Sequence, residues 1–295
     1  MTRNTNLSIL ASFLGLWLTT FFDSKLQIFI GFLLIFSFGI LHGANDLVVL
    51  KKINVLKRPV SFAKLISSYI IVVLISALLF IIIPWLALLL FIVISGYHFG
   101  EQHWQELEFD GRNWIKVLFQ FIYGIFILLL LFVFHKKEVE QIITSIIHAN
   151  IEFIEISYLL TVFGLLLSMF FVYFNFRSIK FQKNTIEELI YLLVFTILFK
   201  MGSLIWGFAL YFIFWHSIPS LHDQIKFLYG NYSFINFKLY FKSAFVYWII
   251  SLFGIITLYL FFKDETIFNA LFFSFLAAIT FPHAWVILKM FNKKA

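Results

Sequence analysis

The residues best suited to chemistry are histidines that lie in or near the ends of long apolar stretches. Two of the eight histidines, His135 and His148, fall instead in a more polar connecting region. An ionisable side chain within a membrane span is costly, so such a residue marks a functional site by default. Imidazole nitrogens are ligands for iron, zinc, copper and nickel. The remaining histidines are His42, His98, His103, His216, His222 and His283.

The first block of interest is His42-Gly43-Ala44-Asn45-Asp46. On a helix, His42 and Asp46 share a face because they are four residues apart. A carboxylate in this position could orient the imidazole or act as a metal ligand itself. A hydrogen-bonded polar pair inside a helical bundle would account for the same spacing.

The second block surrounds His98 and contains Phe99, Gly100 and Glu101. His98 and Glu101 are three residues apart and therefore share a helix face. His103 follows His98 by five residues, and a regular helix turns it about 140° away. His103 joins the same site only if the helix ends or distorts near Gly100.

The last two blocks combine histidine with proline. His216 precedes Pro219 and His222 follows it, and proline favours a break in a helix. Broken helices within membranes usually line a site. Near the C-terminus, His283 directly follows Pro282, and the proline predicts a kinked helix with a freed backbone carbonyl. A hydrogen bond from His283 to that loosened backbone would also account for this histidine.

The composition shows which elements must position these residues. Of the 295 residues, 62% are hydrophobic and 13% are charged, whereas soluble domains are roughly 45–50% apolar and about 25% charged. This excludes a soluble enzyme, a disordered chain and a nucleic-acid binder. Because lipid cannot satisfy free backbone groups, the apolar runs must be helices. We therefore predict an all-α, polytopic transmembrane helix bundle of about 8–10 spanning helices, forming a single integral-membrane domain over residues 1–295.

The apolar runs give the approximate limits of the spans. The run at 186–200 is short and contains two glutamates, so it is the least certain span. The stretches 138–153 and 219–235 are predicted to be interfacial or re-entrant. The predicted spans are 7–22, 26–50, 62–82, 85–104, 114–134, 156–176, 186–200, 203–217, 243–262 and 266–288.

The distribution of basic residues predicts the orientation. Lysine and arginine concentrate in cytoplasmic loops of membrane proteins, and most of the 22 basic residues fall on the side of the N-terminus if there are ten spans. The N- and C-termini are then cytoplasmic, in a bacterial inner (plasma) membrane. The six histidines of the apolar stretches would lie in the cytoplasmic half and could converge on one centre.

The chain contains no cysteine. This excludes disulfides, thiolate metal sites and cysteine nucleophiles. Several histidines without cysteine, in an apolar environment, favour a non-haem iron that handles O₂ over a closed structural zinc. Haem remains an alternative cofactor, because paired histidines within a membrane can also bind haem iron.

Together, the four histidine blocks resemble the Brp/Blh family of bacterial and archaeal membrane β-carotene 15,15′-dioxygenases. The resemblance rests on His42-Gly-x-x-Asp, His98-Phe-Gly, Trp-His216 near proline and Pro-His283, which occur in this order over nearly the whole chain. It implies Fe(II) held by histidines and cleavage of the central double bond of β-carotene by O₂. The product would be two molecules of all-trans-retinal, which a microbial rhodopsin could take up.

The resemblance also implies a ligand set. His42, His98 and His216 match metal ligands of the family, and the family often has a further histidine where this chain has Ser220. His222, two residues later, is the expected substitute. The possible alternative ligands or outer-shell residues are His103, His283, Asp46 and Glu101.

Two other classes of function remain open at this stage. The first is another histidine-ligated iron oxygenase of membranes, such as a carotenoid or lipid hydroxylase or desaturase. The second is a non-enzymatic transporter or a rhodopsin-assembly protein. β-Carotene and O₂ are the expected substrates, and the lipid bilayer is the expected medium from which the carotenoid is taken. No nucleic-acid partner is expected.

Overall fold

The structure is a computed structural model, and it describes residues 3–55, 61–108, 111–148, 155–261 and 265–294. Over these ranges the backbone is almost entirely helical and contains no β-strand. The prediction of an all-α protein is therefore confirmed. In chain order the helices are α1 (Arg3–Thr19), α2 (Ser24–Leu34), α3 (Asp46–Val55), α4 (Phe62–Ile82), α5 (Pro84–His103), α6 (Asn113–Phe134), α7 (Lys136–Ile147), α8 (Ile156–Arg177), α9 (Ile179–Met201), α10 (Leu204–Tyr211), α11 (Ile218–Tyr229), α12 (Phe234–Phe261) and α13 (Glu265–Lys294).

Within the described ranges, seven helices are long and apolar enough to cross a bilayer. Two shorter apolar helices, Asn6–Thr19 and Ser24–Gly39, precede them. The long helices alone fall short of the 8–10 predicted spans, partly because α9 is not among them. The seven long apolar helices nevertheless fit an integral membrane protein. The seven are Phe62–Ile82, Pro84–His103, Asn113–Phe134, Ile156–Arg177, Leu204–Tyr229, Phe234–Thr257 and Ala270–Lys293.

The chain divides into two compact units, each assembled from separate stretches of sequence. The single domain expected over residues 1–295 therefore stays a prediction. Unit 1 comprises Met1–Ile35, Ser95–Val139 and Glu152–Pro219. Unit 2 comprises Phe36–Ile94, Glu140–Ile151 and Ser220–Ala295.

Unit 1 is held together by close helix packing and an aromatic core. Helix α6 packs against α8 and α9, and α10 packs against α2. A Cβ atom on Gly100 would overlap the carbonyl of Gln120, and one on Gly124 would overlap that of Gly96. The backbones of α5 and α6 are thus in direct contact there. The aromatic core around α6 includes the buried side chains of Trp104, Phe119, Phe171, Phe174 and Phe181.

Unit 2 is built around α13, which packs against α3, α4 and α12. Aliphatic side chains of α3 and α13 form one cluster, in which Val49, Val286 and Ile287 are fully buried. A second cluster joins Leu41, which directly precedes the turn before α3, to Ile225 on α11 and Tyr240 on α12. Apolar contacts thereby fix the segments on both sides of the His42 turn and the helix α13 that carries His283.

The predicted continuous span over 26–50 is wrong, because the helix is interrupted at His42. Helix α2 passes into a π-helical turn at Ile35–Gly39, and a non-helical turn follows before α3 begins at Asp46. Single π-helical turns are rare and frequently occur at functional sites. The interruption places His42 at the start of the turn.

The predicted helix break at Pro219 is also wrong. A second π-helical turn, Phe212–Ser217, precedes the proline, and α11 continues through it to Tyr229. The π turn changes the hydrogen-bond register, with the Ile218 N–H bonding to the carbonyl of Ile213. We attribute the continuity to this wider turn, because the missing N–H and the ring of proline otherwise disturb the preceding turn.

The two stretches predicted to be interfacial or re-entrant differ in outcome. The first corresponds largely to α7, and its residues 149–154 lie outside the described part of the chain. The second, predicted over 219–235, instead contains most of α11, which continues a long apolar helix.

Candidate metal centre

The first candidate pair of ligands lies in unit 2 and consists of His42 and His283. Both side chains are buried, and their ring centroids are 4.7 Å apart with the rings nearly perpendicular. His42 comes from the turn before α3, whereas His283 follows Pro282 within α13. The two imidazoles are therefore neighbours although they are far apart in sequence.

Hydrogen bonds orient both rings of this pair. His283 donates from Nδ1 to Oδ1 of Asp46 at 2.8 Å, and the Tyr69 hydroxyl donates to Oδ2 of the same carboxylate at 2.8 Å. His42 donates from Nδ1 to the carbonyl of Gly39. A neutral imidazole that donates from Nδ1 has its basic lone pair on Nε2. Metal-binding histidines are typically held in this way by a carboxylate or a carbonyl.

The second pair lies in unit 1 and consists of His98 on α5 and His216 in the second π-helical turn. Their ring centroids are 4.6 Å apart, and both residues are 1% exposed. Phe99 and Phe212 contact the His216 ring, with centroid distances of 4.7 and 5.5 Å. Aromatic side chains therefore keep this pair in an apolar environment.

The described residues include four buried histidines that could hold a metal ion, namely His42, His98, His216 and His283. A set of neutral imidazoles suits iron, zinc, copper or nickel, and does not suit calcium or magnesium, which prefer oxygen ligands. The donor set and the orienting bonds of the unit 2 pair thus fit the kind of metal that the sequence predicted. Among the described residues, this group includes His283 and does not include His222.

The other predicted site residues have different surroundings. The ring of His222 lies against Tyr232, with centroids 4.7 Å apart. His103 contacts Oε2 of Glu188 at 2.8 Å and stacks on Tyr123. Pro219 does not break the helix, so the distortion that was expected to place His222 beside His216 is absent.

The carboxylates of the predicted set also have defined partners. Asp46 accepts hydrogen bonds from His283 and Tyr69, as described above. Glu101 is buried, and its Oε1 accepts a hydrogen bond from the Tyr97 hydroxyl at 3.2 Å. Asp46 therefore orients the ring of His283, whereas Glu101 is hydrogen-bonded to Tyr97 on the same helix.

Sequence reasoning missed Tyr69, whose hydroxyl holds Asp46. It also missed Gln224 and Tyr240, whose side chains contact the backbone carbonyl of His42. The available signal was weak, because it consisted only of polar groups inside otherwise apolar spans. Spacing could not reveal it, since these residues lie on other helices than their partners.

The fold and the histidines define the class: an all-helical integral membrane protein with buried imidazoles suited to a transition metal. The family model for beta-carotene 15,15'-dioxygenase matches residues 33–291. The chain therefore belongs to this family, as the four histidine blocks predicted. No curated protein matches the chain, and no solved structure matches it.

Proposed function

We propose that the protein is an iron-dependent β-carotene 15,15′-dioxygenase. It cleaves the central double bond of β-carotene with O₂ and releases two molecules of all-trans-retinal. The observation that carries the proposal is the presence of four buried histidines in a chain of this family. One oxygen atom of O₂ enters each aldehyde, so the reaction needs no external reductant.

We further propose that His42, His98, His216 and His283 hold a single Fe(II). When bound, the iron supplies the redox chemistry that activates O₂. His283 takes the place that the sequence assigned to His222, because Asp46 and Tyr69 orient its ring as expected for a ligand. His103 and Glu101 are then not ligands.

The residues of the protein have three tasks: they orient the histidine rings, shield them from water and bind the carotenoid. Asp46 holds the Nδ1 proton of His283, which keeps Nε2 as the basic nitrogen. Phe99 and Phe212 cover His216 and exclude water from that side of its ring. β-Carotene has no hydrogen-bonding group, so its central bond must be selected by the shape of an apolar binding site and by the fixed position of the histidines.

We propose the bacterial inner membrane as the location, with both termini and the metal centre on the cytoplasmic side. The carotenoid substrate dissolves in lipid and would reach the enzyme laterally from the bilayer. A microbial rhodopsin is the proposed recipient of the retinal product.

Product analysis tests the reaction. Cells that make β-carotene should lose their orange colour when the protein is expressed, and the extract should contain retinal. The purified protein with Fe(II), O₂ and β-carotene should give the same product, identified by retention time and mass. A hydroxylated carotenoid that retains the full chain would contradict the proposal and indicate another membrane oxygenase. Unchanged β-carotene and a protein that binds no iron would indicate a non-enzymatic role.

A further inference from the structure

The turn that carries His42 changes the backbone hydrogen-bond pattern of this segment. In a regular α-helix the N–H of Asp46 would bond to the carbonyl of His42. Here it bonds to the carbonyl of Gly43 instead, at 3.2 Å. A buried peptide carbonyl at membrane depth costs free energy unless another group donates to it. Donors to the His42 carbonyl come from two other helices of unit 2.

These donors are the buried side chains of Gln224 and Tyr240. Nε2 of Gln224, on α11, donates to the carbonyl oxygen of His42 at 2.8 Å. The hydroxyl of Tyr240, on α12, lies 3.0 Å from the same oxygen and 2.9 Å from Oε1 of Gln224. Its single proton can serve one of these two acceptors at a time. Both residues are 0% exposed, so water does not compete for the carbonyl.

The other end of the turn is tied to the same helix. Nδ2 of Asn45 donates to the backbone carbonyl of Tyr240 at 2.9 Å. The Ser243 hydroxyl donates to Oδ1 of Asn45 at 2.9 Å. The turn is thus attached to α12 at both His42 and Asn45, and this fixes the backbone from which the His42 imidazole projects.

We propose that Gln224 and Tyr240 are positioning residues for the metal ligand His42. They set the backbone position of His42, and the Gly39 carbonyl sets the rotation of its ring. Groups that support a ligand in this way decide whether its nitrogen lies close enough to the metal to bind it. This inference rests on the proposed function, because it assigns the two residues to the same iron site.

Metal affinity tests the role without relying on turnover. The full-length Tyr240→Phe and Gln224→Met variants are purified in detergent and compared with wild type in competition between the protein and a chelator for Fe(II). Both keep a buried side chain of similar size and lose the hydrogen bond to His42. Loss of an outer-shell partner typically lowers metal affinity about 10–100-fold, and we expect a decrease in this range. The visible absorption of the Co(II)-loaded protein should also change, because it reports ligand geometry.

Tyr191→Phe is the matched control. It also removes one hydroxyl from a buried tyrosine, whose hydrogen bond goes to Glu187 at 3.2 Å, in unit 1. Its Fe(II) affinity and Co(II) spectrum should match wild type. If only one of the two test variants folds, that variant decides the question.

Three results would overturn the inference. Folded test variants with wild-type affinity and spectrum would reject the positioning role while leaving the iron site intact. Failure of both variants to fold would show that the two side chains are structural. A wild-type protein that binds neither Fe(II) nor Co(II) would reject the proposed function and the positioning role together.

Discussion

At the scale of single residues, the two histidine pairs differ in what surrounds them. The unit 2 pair is tied by hydrogen bonds to Asp46 and Gly39. The unit 1 pair is flanked mainly by aromatic rings. Hydrogen bonds therefore orient the rings of the unit 2 pair, whereas apolar contacts surround the rings of the unit 1 pair.

Substitution of single histidines tests the ligand set. His283→Ala should lose Fe(II) binding and retinal formation, because it removes a ligand and leaves the Asp46 carboxylate without its histidine partner. The loss of affinity should exceed the approximately 10–100-fold typical of an outer-shell residue. Iron content per purified chain and chelator competition measure it.

His222→Ala is the control for this experiment. Its ring contacts Tyr232, and it is outside the group of buried histidines, so the variant should keep its iron. Loss of iron in His222→Ala together with retention in His283→Ala would restore the ligand set that the sequence alone suggested.

At the scale of helices, two π-helical turns and one close helix contact affect the positions of His42, His216 and His98. The π-helical turns end at Gly39 and Ser217, one shortly before His42 and the other including His216. Helix α5, which carries His98, touches α6 backbone to backbone at Gly96, Gly100 and Gly124. The position of His98 therefore depends on the absence of side chains at these glycines.

Alanine at Gly100 should disturb this helix contact. The added Cβ atom would overlap the Gln120 carbonyl, so the helices must move apart. Overpacking of this kind typically costs about 1–3 kcal/mol. We expect a lower melting temperature in detergent and weaker Fe(II) binding, because His98 lies only two residues away.

Gly254→Ala provides the matched control. This glycine lies within α12, and a Cβ atom there would have nothing within 4 Å. Alanine is intrinsically better in helices than glycine by about 1 kcal/mol. The melting temperature should therefore be unchanged or slightly higher. Equal melting temperatures for Gly100→Ala and wild type would show that the contact between α5 and α6 tolerates a methyl group.

At the scale of the whole molecule, the apolar helices and the distribution of basic residues define a proposed orientation in the membrane. The natural absence of cysteine makes this testable directly, since one introduced cysteine gives one labelling site. Lys137 and Lys183 are both exposed and fall on opposite sides in the proposed topology.

A membrane-impermeant thiol reagent should label Lys137→Cys in intact spheroplasts. Lys183→Cys should be labelled only after the membrane is opened, because the positive-inside rule places it in the cytoplasm. The cysteine-free wild type controls for background. The reverse pattern would place the termini and the proposed metal centre on the outer side.

The sequence alone was enough to predict the membrane environment, the all-helical class and the family. These depend on composition and on short motifs, since lipid permits few spanning structures and four ordered histidine blocks are distinctive. It also identified His42, His98, His216 and His283 as unusual. It did not show that Pro219 continues a helix, or that the span over 26–50 is interrupted, because both depend on a local shift in hydrogen-bond register.

Only the tertiary structure decided which groups support the histidines. Asp46 was expected to share a helix face with His42, but the turn between them directs its carboxylate to His283, 237 residues away in sequence. Gln224 and Tyr240 reach the His42 carbonyl from other helices for the same reason. A buried polar group takes whichever partner the packing of distant helices brings within hydrogen-bonding distance, and spacing along one chain segment does not contain that information.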